Sequence, residues 1–148
     1  MPSELDLTAL KAEVELLNAE ESHRWQVRLV DGQLKTYVHL KPLGSQDAYC
    51  LRLDYGESLG AGPPSVTFCH PESLAEGNPA DWPANLTDYF KHPPNNGTGW
   101  ICNEWTREGR QHHSEWNRPW KPTRTVWRVM TAIQDILDRP GNYQGRNR

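Results

Sequence analysis

The chain of 148 residues is poor in several features that would assign it to large classes of protein. Its cysteines number three, Cys50, Cys69 and Cys102, an odd and widely spaced set without a Cys-x-x-Cys pair. That argues against a disulfide framework and against an autonomous zinc motif, so at least one thiol is expected to stay free. No apolar run reaches the length needed to span a bilayer or to act as a secretion signal, and the opening MPSELDLTAL lacks a basic n-region. The expectation is a cytoplasmic protein with no membrane partner. Excess positive charge is also lacking: 16 Lys and Arg face 19 Asp and Glu, for a net charge of −3. Without a basic field over the domain, nucleic acid is not an expected partner, and the short stretch GNYQGRNR does not change that. What the chain does have is seven tryptophans, which in a sequence of modest hydrophobic content supply much of the apolar surface for a core. The length fits one domain over residues 1–148 that buries roughly two-thirds of its unfolded surface.

Hydrophobic period then divides the chain. Capping candidates within residues 3–6 precede Leu7, Leu10, Val14 and Leu17, which recur at helical spacing. From Trp25 the period becomes two: Trp25, Val27 and Leu29 share a face until Asp31-Gly32 turns the chain into a hairpin. Leu34, Thr36, Val38 and Leu40 alternate next, then Tyr49, Leu51, Leu53 and Tyr55, and after a glycine-rich stretch a short fourth strand ends at Phe68. Near the end, Val126, Val129, Ile133, Ile136 and Leu137 form a helical stripe that Thr123 or Thr125 can cap and Arg139-Pro140 stops. The fold class is α+β: an N-terminal helix, a four-stranded antiparallel meander and a C-terminal helix. Between strand four and that helix lie two polar stretches, 69–91 and 103–119, expected as enlarged loops. In the first, only residues 86–90 offer apolar anchors.

Residues 92–102, HPPNNGTGWIC, are framed by these two loops. The prolines lack amide donors and Asn-Gly favours positive φ, so neither helix nor central strand fits the first part, and a shaped loop is expected. Ile101 and Cys102 leave it as a short extended piece with a solvent-accessible thiol.

Four motifs, in order, resemble those of ubiquitin-conjugating enzymes. They are Pro63-Pro64-Ser65-Val66-Thr67-Phe68, His92-Pro93, Gly99 with Ile101-Cys102, and Trp120 with Pro122 and Thr125 before the last helix. The resemblance runs from the first helix to Pro140 and implies a ubiquitin-conjugating-enzyme-like fold with an active-site loop. It treats 69–91 and 103–119 as insertions. It further implies a short bacterial-type member of a ubiquitin-like conjugation operon, a setting that would suggest antiviral defence. The implied reaction is that of a transferase: Cys102 receives a ubiquitin-like modifier as a thioester from an activating enzyme and passes it to an amine of a target protein. No cofactor and no metal are implied.

The chemistry asked of these residues is simple. A thiol accepts an acyl group from another thioester at little thermodynamic cost and yields it to an amine. Attack by the amine builds negative charge on the carbonyl oxygen, which an amide side chain can stabilise. The family assigns that task to the Asn of His-Pro-Asn. Here the third position is Pro94, so the amide would come from Asn95 or Asn96, with no choice between them. Supporting residues would be His92 as a loop brace, Glu104 as an acidic neighbour of the cysteine, Trp120 in the turn, and His112 and His113 as proton acceptors or as part of a solvated loop. Asp138 is a weak counterpart to the acidic residue that many relatives place after the helix, and Cys50 and Cys69 are expected to be structural. Two other readings remain open. One is a catalytically silent domain of the same fold that binds the modifier or scaffolds a complex; the other makes Cys69, His70, His92 and Cys102 zinc ligands.

Overall fold

The computed structural model describes residues 1–147 and has the α+β architecture expected from the periodicity. Helix α1 (Glu4–Glu20) is followed by strands β1 (Gln26–Leu29), β2 (Leu34–Leu40), β3 (Tyr49–Gly56) and β4 (Ser65–Cys69), which form one antiparallel sheet in sequence order. A two-stranded hairpin, β5 (Phe90–Lys91) with β6 (Trp100–Ile101), precedes the short helix α2 (Arg107–His112) and the C-terminal helix α3 (Thr125–Asp138).

The register of the sheet shows why alternation was enough to find it. Val27 lies opposite Val38, Val38 opposite Leu51, and Leu51 opposite Phe68, so one row of apolar side chains crosses all four strands on the buried face. Leu10, Val14 and Leu17 of α1 and Val126, Val129, Ile133 and Leu137 of α3 join the same core. Ser3 is the cap of α1, its Oγ accepting from the Asp6 N–H at 3.1 Å. The opposite face of the sheet carries a small second cluster of Tyr37, Cys50 and Cys69. Cys50 and Cys69 are direct cross-strand partners with free, fully buried thiols, and the Cys69 Sγ–H donates to the Cys50 carbonyl at 3.6 Å.

Two sequence expectations need correction. Neither Thr123 nor Thr125 caps α3: its first flanking residue is Arg124, in a left-handed conformation with no side-chain cap. The cap comes from α1, whose Glu13 carboxylate accepts from Thr125 Oγ1 (3.0 Å), Val126 N (3.1 Å) and Trp127 N (3.0 Å). A carboxylate suits those orphan donors and the positive end of the helix dipole.

The segment 69–91 has an anchor outside residues 86–90. Trp82 is 0 % exposed and packs edge-on against Phe68, with ring centroids 4.9 Å apart. A bulky apolar side chain there is worth burying even though prolines bar a regular element around it.

The residues after α3, in the sequence only a short polar stretch, GNYQGRNR, are also bound back onto the domain. Ala84 N–H donates to Gly145 O (2.8 Å), Asn147 N–H donates to Trp82 O (2.7 Å), and the Arg146 guanidinium lies over the Tyr49 ring at 4.5 Å. The tail therefore clamps the Trp82 segment.

A candidate acyl-transfer site around Cys102

Hairpin geometry brings the cysteine into place. Phe90 pairs with Ile101 and Lys91 with Trp100, so residues 92–99 form the tip of a hairpin whose second strand delivers Cys102. The tip is the shaped loop expected from its prolines and glycines, with a cis Pro93-Pro94 bond. Gly99, at φ 99°, has a specific reason to be glycine: a Cβ there would overlap the Trp82 indole. The loop therefore sits directly on the buried tryptophan.

Cys102 N–H donates to Tyr89 O at 2.7 Å, continuing the hairpin ladder by one bond. The residue is 5 % exposed, so the readily accessible thiol expected from sequence is corrected to a buried one. Access runs through a cleft of about 380 Å³ whose walls include Asp88, Tyr89, Cys102, Asn103, Glu104, His113 and Trp116. Burial pushes the Cys102 thiol above its usual range, opposed by the nearby Lys91 ammonium. The thiolate is then the minority form near neutrality, and its reactivity should rise with pH.

Residues 103–119, expected as a loop, supply the other wall and contain α2. Thr106 caps that helix, its Oγ1 accepting from Gly109 N at 3.0 Å and donating to Ile101 O at 2.7 Å. One hydroxyl thus ties the helix start to the strand that ends at the cysteine.

The expected site residues separate into two groups. Glu104 and His113 line the cleft with Cys102. Glu104 is held by the Arg118 guanidinium, which keeps its carboxyl below the usual carboxylate range. His113 stacks on Trp116 with centroids 4.1 Å apart, and its Nδ1 lies 3.2 Å from the Glu115 carboxylate. His112 is turned instead toward Trp100, centroids 5.2 Å apart.

Asn95 and Asn96 are exposed on the loop tip and do not line the cleft. Asn96 donates from Nδ2 to His92 O at 3.0 Å and accepts from Gly99 N at 3.1 Å, which makes it a brace of the loop. His92 is a brace as well, with Nδ1 3.0 Å from Pro93 O and 3.3 Å from Asn147 Nδ2. Trp120 donates from Nε1 to Leu59 O at 2.7 Å, pinning the approach to α3 against the turn after β3. Asp138 is engaged away from the cleft, accepting from Leu43 N at 2.7 Å.

Asn103, Asp88, Tyr89 and Trp116 are cleft residues that sequence reasoning passed over. For Asn103 a signal existed, since an asparagine directly after a proposed nucleophile is close to it in any fold.

The four residues of the zinc reading are not assembled: among the described residues no three His, Cys, Asp or Glu side chains group as a metal site needs. Cys69 is sealed beside Cys50 in the second cluster, while Cys102 faces its own cleft. A larger hollow of about 700 Å³ lies between the end of α1, β2 and the end of α3, lined by Arg24, Lys41 and Gln134 among others, and it holds no cysteine. Gln134 there is already bonded to Trp25 Nε1 (3.0 Å) and Lys41 O (2.9 Å). Among the described residues no helix is long and apolar enough to cross a membrane. No protein-family model, curated protein or solved structure matches the chain.

Proposed function

We propose that this protein is an acyl carrier of the ubiquitin-conjugating-enzyme type, which takes a ubiquitin-like modifier onto Cys102 as a thioester from an activating enzyme and transfers it to an amine of a target protein. The observation that carries this reading is the contrast among the three thiols. Cys50 and Cys69 are sealed within the sheet, whereas Cys102 ends a strand and faces an open cleft with Glu104, His113 and Trp116 on its walls. A cleft of that size has room for a peptide tail beside an incoming amine. The order of elements, with a helix, four-stranded meander, hairpin loop, cysteine and final helix, is compatible with a ubiquitin-conjugating-enzyme-like fold. The setting proposed is the cytosol of a bacterium, where such a carrier would serve in defence against phage.

The test mixes the protein with a candidate activating enzyme, its modifier and ATP. Wild type should give a reductant-sensitive adduct and Cys102→Ala none, while Cys102→Ser should give an adduct that survives reductant because an ester replaces the thioester. Cys50→Ala and Cys69→Ala should still charge. An adduct on Cys102→Ala equal to wild type would sink the reading.

The burial of Cys102 and its raised thiol favour one other account, a silent domain of the same fold that binds the modifier or scaffolds a complex. That account predicts modifier binding with no adduct in any variant.

A further inference from the structure

The geometry points to the side-chain amide of Asn103 as the donor that stabilises the oxyanion during acyl transfer at Cys102. This inference rests on the acyl-carrier reading above and assigns to a residue of the cleft the role first expected of the loop asparagines.

The chemistry sets the requirement. In the first step the Cys102 thiolate attacks the carbonyl carbon of a thioester, a C–S bond to Sγ forms, the original C–S bond breaks, and the departing thiolate takes up a proton from solvent. In the second, an amine attacks the same carbon, the C–N bond forms, the bond to Cys102 Sγ breaks with its electron pair on sulfur, and the proton lost by the amine goes to solvent. Between bond making and bond breaking the carbonyl oxygen is negative, and a donor already pointing at it lowers the barrier without reorganising.

Some donors near the thiol are already spent. The Cys102 N–H is bonded to Tyr89 O. Nδ1 of His113 faces Glu115, and the amide of Asn96 is spent on His92 O in the loop tip. Asn103 is different. Its Oδ1 accepts from Trp105 N at 2.9 Å, which fixes which end of the amide is oxygen and leaves Nδ2 as the free end. Among the described residues Nδ2 has no acceptor, and the residue is half-buried on the wall of the cleft that Cys102 also lines.

Its backbone is equally fixed. The Asn103 carbonyl accepts from Thr106 N (3.1 Å) and Thr106 Oγ1 (3.0 Å). Gly109 packs so close that a Cβ there would overlap the Asn103 backbone. An amide held at its oxygen end, anchored through its main chain and open at its nitrogen end is a preorganised donor.

The experiment uses a short peptide α-thioester of mercaptoethanesulfonate as acyl donor and free lysine as acceptor, read by intact-protein mass spectrometry. Asn103→Asp keeps the oxygen that accepts from Trp105 N and replaces the donor with a charged oxygen, while Asn103→Ala removes the donor without adding charge, so slowing in both variants reports loss of the donor. The expected result is an adduct on Cys102 to the same extent as wild type and an unchanged melting temperature. Discharge of that adduct to lysine should be slower by ~100-fold, the typical cost of losing one such donor. Asn103→Ala should slow discharge similarly and also lower the melting temperature, since its turn loses a bond.

Discharge of the Asn103→Asp adduct at the wild-type rate overturns the inference while leaving the acyl-carrier reading intact. If wild type takes up no acyl group, or Cys102→Ala takes up as much, the carrier reading fails and the Asn103 assignment falls with it.

Discussion

The four-stranded sheet and the segment that surrounds Cys102 are held by different kinds of contact. In the sheet, one apolar row through Val27, Val38, Leu51 and Phe68 packs against α1 and α3, and the stabilisation is area removed from water. Around the cysteine, position is set by single directional bonds: the Asn103 side chain to Trp105 N, Thr106 Oγ1 to Ile101 O, and Arg110 Nε to Glu104 O at 2.6 Å. Arg110, Arg118 and Arg128 lie over the Trp105 ring at 5.2, 5.2 and 5.3 Å, so cations as well as apolar side chains cover the aromatic surface here. Of the seven tryptophans, Trp25 and Trp82 are buried in the core and Trp105, Trp120 and Trp127 are half-buried against it, in line with the core role expected of them. A fold held by area tolerates change in a site held by bonds, and the site can be altered without melting the scaffold.

Trp82 is where the two regimes meet, and its removal should have the largest effect. It packs on Phe68 in the core and supports Gly99 at the base of the loop that precedes Cys102. Trp82→Ala should cost ~3–5 kcal/mol by the usual scale for a fully buried aromatic and should also disorder the cysteine loop. Denaturant unfolding measures the first effect and the rate of Cys102 alkylation the second. A large loss of stability with an unchanged alkylation rate would separate the two regions more sharply than the structure does.

Glu13 provides the next test, because it stabilises the scaffold by directional bonds, as the site is stabilised. Its carboxylate serves three donors at the start of α3, and Glu13→Ala should cost about 1–2 kcal/mol, the upper range for loss of a helix cap. Thermal unfolding checks it. Loss of stability no larger than for an exposed α1 glutamate such as Glu15 would mean that water replaces the carboxylate without penalty.

What could be read in the sequence follows the same division. Alternation found β1 to β4 because each strand buries one face, and the stripe of Val126, Val129, Ile133 and Leu137 found α3. The position of Cys102 at the end of a short extended piece after a loop was legible because turn-forming residues mark that loop. Glu13 was not legible as the cap of α3, since its partners lie 112 to 114 residues away and local signals pointed to Thr123 or Thr125. The placement of the loop asparagines was not legible for a similar reason: spacing cannot show that Asn96 would turn back on His92 O, or that the segment after Cys102 would bring Asn103 and His113 to the cleft that Cys102 lines. The docking of residues 141–147 on the Trp82 segment depends on backbone bonds, which carry no sequence pattern.

The smallest effect is expected for the ion pair on the rim of the cleft, and its pH dependence shows how little a bond-held region adds to stability. Glu104 is paired with Arg118, whose side chain is 65 % exposed, so solvent screens the interaction. The hydrogen bond and charge of Arg118 hold the Glu104 carboxyl low in the folded protein. A carboxyl with a depressed folded-state pKa contributes stability that is present above its unfolded value of about 4.3 and is lost as pH falls through the folded value. In Arg118→Ala that contribution should shrink to what the Arg110 charge still supplies, so the variant and wild type should differ slightly near neutrality and converge in acid, as both Glu104 carboxyls become protonated. High salt should narrow the neutral difference as well, since screening acts on an exposed pair. Melting temperatures across the acid range at low and high salt measure both trends. A difference that persists unchanged into acid would mean that Arg118 acts through its stacking on Trp105, and that packing contributes to the rim as it does to the sheet.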